Sequence, residues 1–478
     1  MTTHDLITLL PLLVLTVAPV VVMLAAAFHR SHLLALVLTL AGLAATVGTL
    51  FVAAAQPQRQ VTPLLSMDTY ALLYIGLLAG ATAAVALISY KYLQRRGVPP
   101  EEYYVLLLAA TLGGATLVAS THFASFFLGL EVLSVSLYAL IVYPVYRERF
   151  VEAAVKYLVL AGATSAFLVF GMALVYAETG QMTVEGLRPL LASGLSGADA
   201  VVVLGVVMLL GGVGFKLAVV PFHMWTPDVY QGAPAPVTAY IATVSKGAMV
   251  ALLLRYFGPI SQDTGATLFW VFAAIAIASM VAGNLLALRQ DNVKRILAYS
   301  SIANLGYLLV AFLASGPNAP VAVTFFLFAY FATSLVAFGV VTALSTPEHE
   351  AESIDDYRGL ARTRRWTAAA FTVALLSLAG MPLTMGFIGK FYLVTAGAGA
   401  GLWALVVVLV LTSAVSIYYY TRVIAAMWVR EPDEKSVRTA IGGASGVVLA
   451  ALTAFLIVFG VYPSPLLHLI ERAVSTLP

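Results

Sequence analysis

Fourteen apolar stretches, each of roughly 20 residues or more and set apart by short polar breaks, dominate this chain. They lie near 5–27, 33–55, 68–90, 103–120, 123–144, 153–177, 201–222, 235–256, 267–288, 293–314, 320–344, 366–396, 402–427 and 441–461. About 20 apolar residues wound as an α-helix cross the hydrocarbon core of a bilayer. A chain built from such segments has lipid, not water, as its main solvent. Composition agrees: 61% of the 478 residues are hydrophobic and only 10% are charged. That is too little charge to cover a soluble domain of this size. No segment alternates polar and apolar residues over the length of a barrel strand, so the spans are predicted as helices. The first, in MTTHDLITLLPLLVLTVAPVVVMLAAAF, carries Asp5 and no basic residue ahead of a long apolar core, and it reads as a retained span and not a cleaved signal.

What the chain lacks also narrows its chemistry. It has no cysteine, which excludes disulfides, Cys-ligated zinc and iron–sulfur clusters from this chain. Its seven histidines are scattered and only His223 lies deep in the pattern, so a bis-histidine haem has no ligands. Neither G-x-x-x-x-G-K-[ST] nor G-x-G-x-x-G occurs. No cofactor or metal is expected here, and any electrons or nucleotides belong to other chains.

Lysine and arginine set orientation. Loops after odd-numbered spans hold Arg30, Lys91, Arg95, Arg96, Arg147, Arg149, Arg289, Lys294, Arg295, Arg358, Arg362, Arg364, Arg365, Arg430, Lys435 and Arg438, 16 in all. The other side holds four: Arg59, Arg188, Arg255 and Arg472. The richer side is predicted to be cytoplasmic, with both termini outside. The net charge of +3 then reflects topology and not a nucleic-acid surface.

Arg422 lies close enough to the inner end of span 13 to snorkel. Four basic residues remain inside spans, and all are lysines: Lys156, Lys216, Lys246 and Lys390; Glu131 is the one acid well inside a span. Ionisable groups at membrane depth are costly and point to function. Burial disfavours an ammonium, and a carboxylate within about 4–6 Å favours it. Lysine suits a proton role because its charge state follows its surroundings, whereas arginine stays charged. Each pKa unit is about 1.4 kcal/mol, and 100 mV opposes each proton by about 2.3 kcal/mol. A Glu–Lys pair that opens and closes therefore works on a useful energy scale.

Two spans are interrupted. In GFKLAVVPFHMWTPDVYQGAPAP, Pro221 follows Lys216 and precedes His223, Asp228, Pro234 and Pro236. In SLAGMPLTMGFIGKFYL, Gly380, Pro382, Gly386 and Gly389 precede Lys390. Proline removes a donor and clashes one turn back, and carbonyls freed at membrane depth need protein or water partners. Paired interruptions point to inverted repeats around a midplane site. Breaks in spans 7 and 12 are five apart, so units of spans 4–8 and 9–13 would have opposite orientations. The predicted fold is an all-α polytopic membrane protein, a single domain over 1–478. Within it lie N-terminal spans 1–3 (1–100), a first inverted repeat (103–256), a second (267–429), and a C-terminal helix with a short tail (441–478).

Several stretches are similar to a known family. FKLAVVPFHMWTPDVYQGAPAPVTAYIATVSK resembles the antiporter-like membrane subunits of respiratory complex I, the proton-pumping NADH:quinone oxidoreductase. PDVYQGAPAPVTA, FFLGLEVLSVSLYAL, NVKRILAYSSIANLGYLLVAF and LAGMPLTMGFIGKFYL resemble its subunit N. The resemblance covers roughly residues 65–430. It implies a proton relay: Glu131 pairs with Lys216, Lys246 is the centre, Lys390 leads to the outward exit, Lys156 modulates the pair, and His223 lies in the break. It also implies a bacterial inner membrane location, neighbouring antiporter-like membrane-arm subunits as partners, and NADH, flavin, iron–sulfur clusters and quinone in other subunits. One position departs, because many relatives have histidine where Asn304 stands, and asparagine does not titrate.

Other readings compete. The chain could be a subunit of a multi-subunit cation/proton antiporter, a passive spacer in such an assembly, or a solute transporter. The last fits poorly with polar positions spread over spans 5, 6, 7, 8 and 12. Blander roles are expected for some residues: snorkelling for Lys156, satisfaction of freed carbonyls for His223, and a cap or loop position for Asp228. Segment 347–365 reads as a solvated cytoplasmic loop, Gly397 to Gly401 as an outward-facing turn, and Tyr418 to Tyr420 as packing or interfacial belt.

Overall fold

The structure, a computed structural model, describes residues 3–56, 60–143, 148–195, 197–258, 260, 267–314, 316, 318–429 and 442–477. Of the basic residues that set the predicted orientation, Arg59, Arg147, Arg430, Lys435 and Arg438 lie outside the described residues.

Five long helices open the chain: α1 (Thr3–Phe28), α2 (His32–Ala54), α3 (Thr69–Arg96), α4 (Glu101–Ala119) and α5 (Phe123–Val142), with a small hairpin of β1 (Gln60–Thr62) and β2 (Leu65–Ser66) before α3. Next come α6 (Glu148–Thr179), a short α7 (Val184–Ala192), α8 (Ala200–Leu217) and α9 (Trp225–Gly232). The eighth span is α10 (Ala235–Tyr240), a π turn (Ile241–Ser245) and α11 (Lys246–Phe257) in one run. Then follow α12 (Thr267–Leu288), α13 (Val293–Phe312), α14 (Asn318–Leu344), a 3₁₀ turn (Ile354–Tyr357), α15 (Leu360–Thr363), α16 (Arg365–Ala379), α17 (Met385–Gly399), α18 (Trp403–Trp428), α19 (Gly443–Val461) and α20 (Ser464–Val474). Among the described residues, 13 helices are long and apolar enough to cross a membrane. The half-helices α16 and α17 account for the remaining predicted span. The hairpin, α7, α9, the 3₁₀ turn, α15 and α20 were not predicted. Of these, α20 packs on α3 and α14.

The bundle has an inside and an outside. The α10–α11 run, α13 and α14 are enclosed almost completely by protein, whereas α2, α6 and α19 expose most of their surface. Small residues let the enclosed helices approach, since lipid offers little hydrophobic drive for association. A Cβ at Gly113 of α4 would lie 2.4 Å from the Leu133 nitrogen of α5, and one at Gly129 of α5 would lie 2.8 Å from the Leu117 nitrogen of α4. The backbones therefore touch at this crossing. Gly283 and Gly306 play the same part between α12 and α13.

The two predicted breaks are present. α8 ends at Leu217, before Pro221, with Ala218 in the left-handed region at φ 61. α16 ends at Ala379 with Gly380 at φ 82. The closing hydrogen bonds match. Ala218 N–H donates to Phe215 O and Val219 N–H to Gly214 O, while Gly380 N–H donates to Ser377 O and Met381 N–H to Leu376 O. Both half-helices end in the same left-handed cap.

The expectation of a solvated loop at 347–365 is corrected. Glu350, Ala351 and Tyr357 are buried, and the segment folds onto the bundle end. Its backbone pairs with the start of α13, where Val293 N–H donates to Glu352 O at 2.5 Å and Ile354 N–H to Asp291 O at 3.0 Å. The carboxylate of Asp356 accepts from the N–H groups of Glu352 and Ser353, so the turn is internally built. Two cations counted as loop residues are likewise interior. Arg255 makes a bidentate, buried pair with Asp68, and Lys294 is fully enclosed. A tally of loop charges cannot tell an exposed cation from one folded back against a carboxylate.

Candidate functional site

Three of the four predicted lysines are buried in protein, and each is held differently. Lys216 sits in the last turn of α8. Its Nζ donates to Ser134 Oγ on α5 at 2.6 Å and to Tyr157 OH on α6 at 3.3 Å, and it lies 5.1 Å from the Tyr157 ring centroid. The close α4–α5 crossing fixes where α5, and hence Ser134, stands. Glu131 lies one turn before Ser134 and accepts from Ser165 Oγ of α6 at 2.6 Å. Among the described residues no ion pair joins Glu131 to Lys216; the two bond to Ser165 and Ser134 respectively. Ser134 stands on the lysine in place of the carboxylate.

Lys246 begins α11, just after the π turn. Its Nζ donates to Ser301 Oγ of α13 at 2.6 Å, and Ser301 in turn shares a 2.6 Å hydrogen bond with Tyr330 OH of α14. The Tyr230 ring of α9 lies 5.5 Å from the ammonium, within reach of a cation–π attraction. Lys390, in α17, reaches back across the break. Its Nζ donates to Leu378 O at 2.7 Å, Ala379 O at 3.2 Å and Ser413 Oγ of α18 at 2.8 Å, over the Tyr307 ring at 5.0 Å. The carbonyls freed by ending α16 are thus satisfied by the lysine itself, and a cation at a helix C-terminus is favourable. At the other break, Trp225 Nε1–H donates to Phe215 O, which already accepts from the cap N–H of Ala218.

The other predicted residues lie elsewhere. Lys156 points outward from α6, pairs with Glu152 at 2.7 Å and Asp228 at 3.3 Å, and is substantially exposed in the isolated chain. Asp228, in the first turn of α9, also binds Arg295 at 2.8 Å. His223 is buried in the break, and its Nδ1 has no hydrogen-bond partner among the described residues. Asn304 donates to Ser300 O and to Ser300 Oγ.

A set of buried polar groups between Lys246 and Lys390 was not anticipated. Next to Ser301, Ser300 shares a short hydrogen bond with Tyr420 OH. The adjacent Tyr419 donates to Asn284 Oδ1 at 3.1 Å, and Asn284 Nδ2 donates to Tyr307 OH at 2.9 Å. Tyr307 carries the ring under Lys390. The chain runs Lys246, Ser301, Ser300, Tyr420, Tyr419, Asn284, Tyr307, Lys390, with two steps along the backbone and one through a ring face. Of the three tyrosines read as packing or belt, Tyr418 is exposed, while Tyr419 and Tyr420 are each 1% exposed and carry hydrogen bonds that the reading did not include. A signal was available: Ser300, Asn304 and Tyr307 are spaced i, i+4, i+7, one polar stripe on an otherwise apolar helix. On the other side, Tyr157 stacks near Trp225, with ring centroids 4.9 Å apart. Helix α9 therefore touches the surroundings of both Lys216 and Lys246. Among the described residues, no group of three or more His, Asp or Glu is placed to hold a metal.

This combination defines a class: a polytopic helical membrane protein with enclosed amines at two broken helices and a hydroxyl and amide path between them. Residues 120–416 match the family described as NADH:quinone oxidoreductase/Mrp antiporter, transmembrane. The chain is 50% identical to the NADH-quinone oxidoreductase subunit N of Nitrosospira multiformis, with 98% of this chain and 96% of the relative covered. It is 46% identical to that of Methylococcus capsulatus over 98% of this chain and 95% of the relative. Among solved structures, a chain of respiratory complex I from Thermus thermophilus superposes with a TM-score of 0.83 at 31% identity, covering 97% of this chain and 99% of that one. A chain of the Mrp complex from Dietzia has the same fold, with a TM-score of 0.85 at 22% identity and coverage of 100% and 98%. The chain therefore belongs to the NADH:quinone oxidoreductase/Mrp antiporter membrane family, in its subunit N branch.

Proposed function

We propose that this chain is a proton-translocating membrane-arm subunit of a complex I-type NADH:quinone oxidoreductase. It moves protons outward through Glu131, Lys216, Lys246 and Lys390 under the control of redox chemistry in other subunits. The observation that carries the reading is the enclosure of three amines in protein, each held by hydroxyl or carbonyl oxygens, with buried polar side chains leading from Lys246 to Lys390. An amine is a proton holder whose charge state answers to nearby carboxylates, and Glu131, one turn from the Ser134 that holds Lys216, would supply that control. Lys156 and His223 have weaker roles: Lys156 sets the charge of Asp228 beside α9, and His223 lies at the break. With asparagine at 304, the hydroxyl path and water take the place of a titrating group. The chain, lacking cysteine, contributes no redox centre.

Two structural readings belong to the same proposal. Spans 4–8 and 9–13 are inverted repeats, which the matching caps at Ala218 and Gly380 and the matching glycine crossings of α4–α5 and α12–α13 support. The excess of basic residues after odd-numbered spans favours a cytoplasmic side there and an outward position for both termini. The alternative, a subunit of a multi-subunit cation/proton antiporter, draws on the fold shared with the Mrp chain, but three relatives at 46–50% identity are subunit N proteins.

Proton pumping by the intact enzyme in sealed vesicles tests the relay. Lys216→Ala and Lys246→Ala are each expected to lower NADH-driven proton translocation several-fold in assembled complex. If both variants translocate with the wild-type proton-to-electron ratio, the assignment of the relay is wrong.

A further inference from the structure

At the inner end of the bundle lies a second group of buried charges that the relay does not use. Glu350 is 2% exposed. It binds the Arg96 guanidinium at 2.9 Å, accepts a short hydrogen bond from Tyr92 OH, and faces the Lys294 ammonium at 3.6 Å. Lys294 does not close onto the carboxylate. Its Nζ donates instead to two carbonyls at the end of α9, Gln231 O at 3.0 Å and Ala233 O at 2.6 Å. A neighbouring pair repeats the arrangement. Arg149 binds Glu352 through both terminal nitrogens, at 2.9 and 2.7 Å, and donates from Nη2 to the same Gln231 O at 2.8 Å. Arg295 adds bonds to Asp228 and to the Gln231 side chain.

Helix α9 has only eight residues, too few to hold its own position. Four cations grip it, Lys156, Arg149, Lys294 and Arg295, and two of them, Lys294 and Arg149, face Glu350 and Glu352 on the connection between α14 and α16. The Tyr230 ring, next to Gln231, is the face presented to Lys246. We propose that this inner connection is a positioning device for the relay: Glu350 and Glu352, acting through Lys294 and Arg149, hold the end of α9 and so keep Tyr230 against Lys246. Glu350 and Glu352 are positioning residues, since neither touches the relay. Lys294 faces Glu350 while it holds the α9 carbonyls, so a shift of the connection away from the bundle draws the ammonium after Glu350 and off those carbonyls. That shift loosens α9 at the point where it meets both Lys216 and Lys246. Glu348, His349, Asp355 and Arg358 on the outer side of the connection are exposed in this chain, giving such a shift a place to start.

The inference rests on the relay reading, and its test separates the two. Hydrogen exchange over residues 225–233 is measured in assembled complex, together with the proton-to-electron ratio in sealed vesicles. Glu350→Gln is expected to speed exchange of this segment roughly tenfold, the scale of losing one charge-assisted hydrogen bond, and to lower the ratio. Glu350→Asp is expected to restore most of both. Glu352→Gln, a milder change at a partly exposed pair, is expected to act in the same direction and guards against failed assembly of the first variant. Wild-type exchange over 225–233 in both Gln variants overturns the proposal. So does faster exchange with an unchanged ratio, provided that Lys246→Ala lowers it. If Lys246→Ala also leaves the ratio unchanged, the relay reading falls first.

Discussion

At the scale of single residues, the two breaks use their lysines differently. Lys390 turns back on the helix that ends before it and takes its carbonyls, whereas Lys216 points away from its break to Ser134. The difference follows from order along the chain, since Lys216 precedes its break and Lys390 follows its own. The link between Lys246 and Lys390 is the part of the site most open to a conservative test. Tyr307→Phe keeps the ring under Lys390 but deletes the hydroxyl that accepts from Asn284 Nδ2. Stability should fall by only about 1 kcal/mol or slightly more, the scale of one buried hydrogen bond and an unpaired donor. Proton translocation should fall well beyond what that loss explains, with assembly intact. An unchanged proton-to-electron ratio in this variant removes the hydroxyl path from the mechanism. The amines of this site were legible in the sequence because charge in an apolar run has no bland explanation. Ser300, Ser301, Tyr419, Tyr420 and Asn284 were not, because hydroxyl and amide groups occur in membrane helices for packing and for bonds to their own backbone, as Thr82 and Thr111 show.

At the scale of elements, the position of each lysine is set by how closely helices pass. Gly113 and Gly129 bring α4 and α5 into backbone contact, and this contact sets the place of Ser134 against Lys216. Gly113→Val would push a branched side chain into the Leu133 backbone, where nothing flexible can yield. Overpacking of this kind costs about 1–3 kcal/mol. The expected result is a lower thermal midpoint of the purified complex and reduced proton translocation, whereas Gly97→Ala, at a site with open space, should cost only the strain of its positive φ. If Gly113→Val leaves both the midpoint and translocation unchanged, the α4–α5 contact does not set the site. Breaks and spans were readable because proline, glycine and apolar length act locally. The folding-in of 347–365 was not, because its acidic residues look solvated until their partners, Arg96, Lys294 and Arg149, are brought to them from three other helices.

At the scale of the whole molecule, an even number of crossings would put both termini on one side. Thirteen long helices and the α16–α17 pair make fourteen among the described residues. Which side is decided by where Lys and Arg collect. The structure weakens that tally only slightly, since Arg255, counted outside, is neutralised within the bundle by Asp68, while Lys294, counted inside, is held by carbonyls and Glu350. Removing both still leaves a large excess on one side. Because the chain has no cysteine, a single introduced thiol reports sidedness without background. Ser475→Cys, exposed after α20, and Asp355→Cys, exposed on the inner connection, make the pair. In right-side-out vesicles, a membrane-impermeant maleimide should label the first and spare the second. In inverted vesicles the pattern should reverse, and in detergent both should react. The opposite pattern would turn the molecule over in the membrane. Lys390 would then face the inlet, and the proposed positioning device at Glu350 would stand on the outer surface, together with the basic residues that gather at that end.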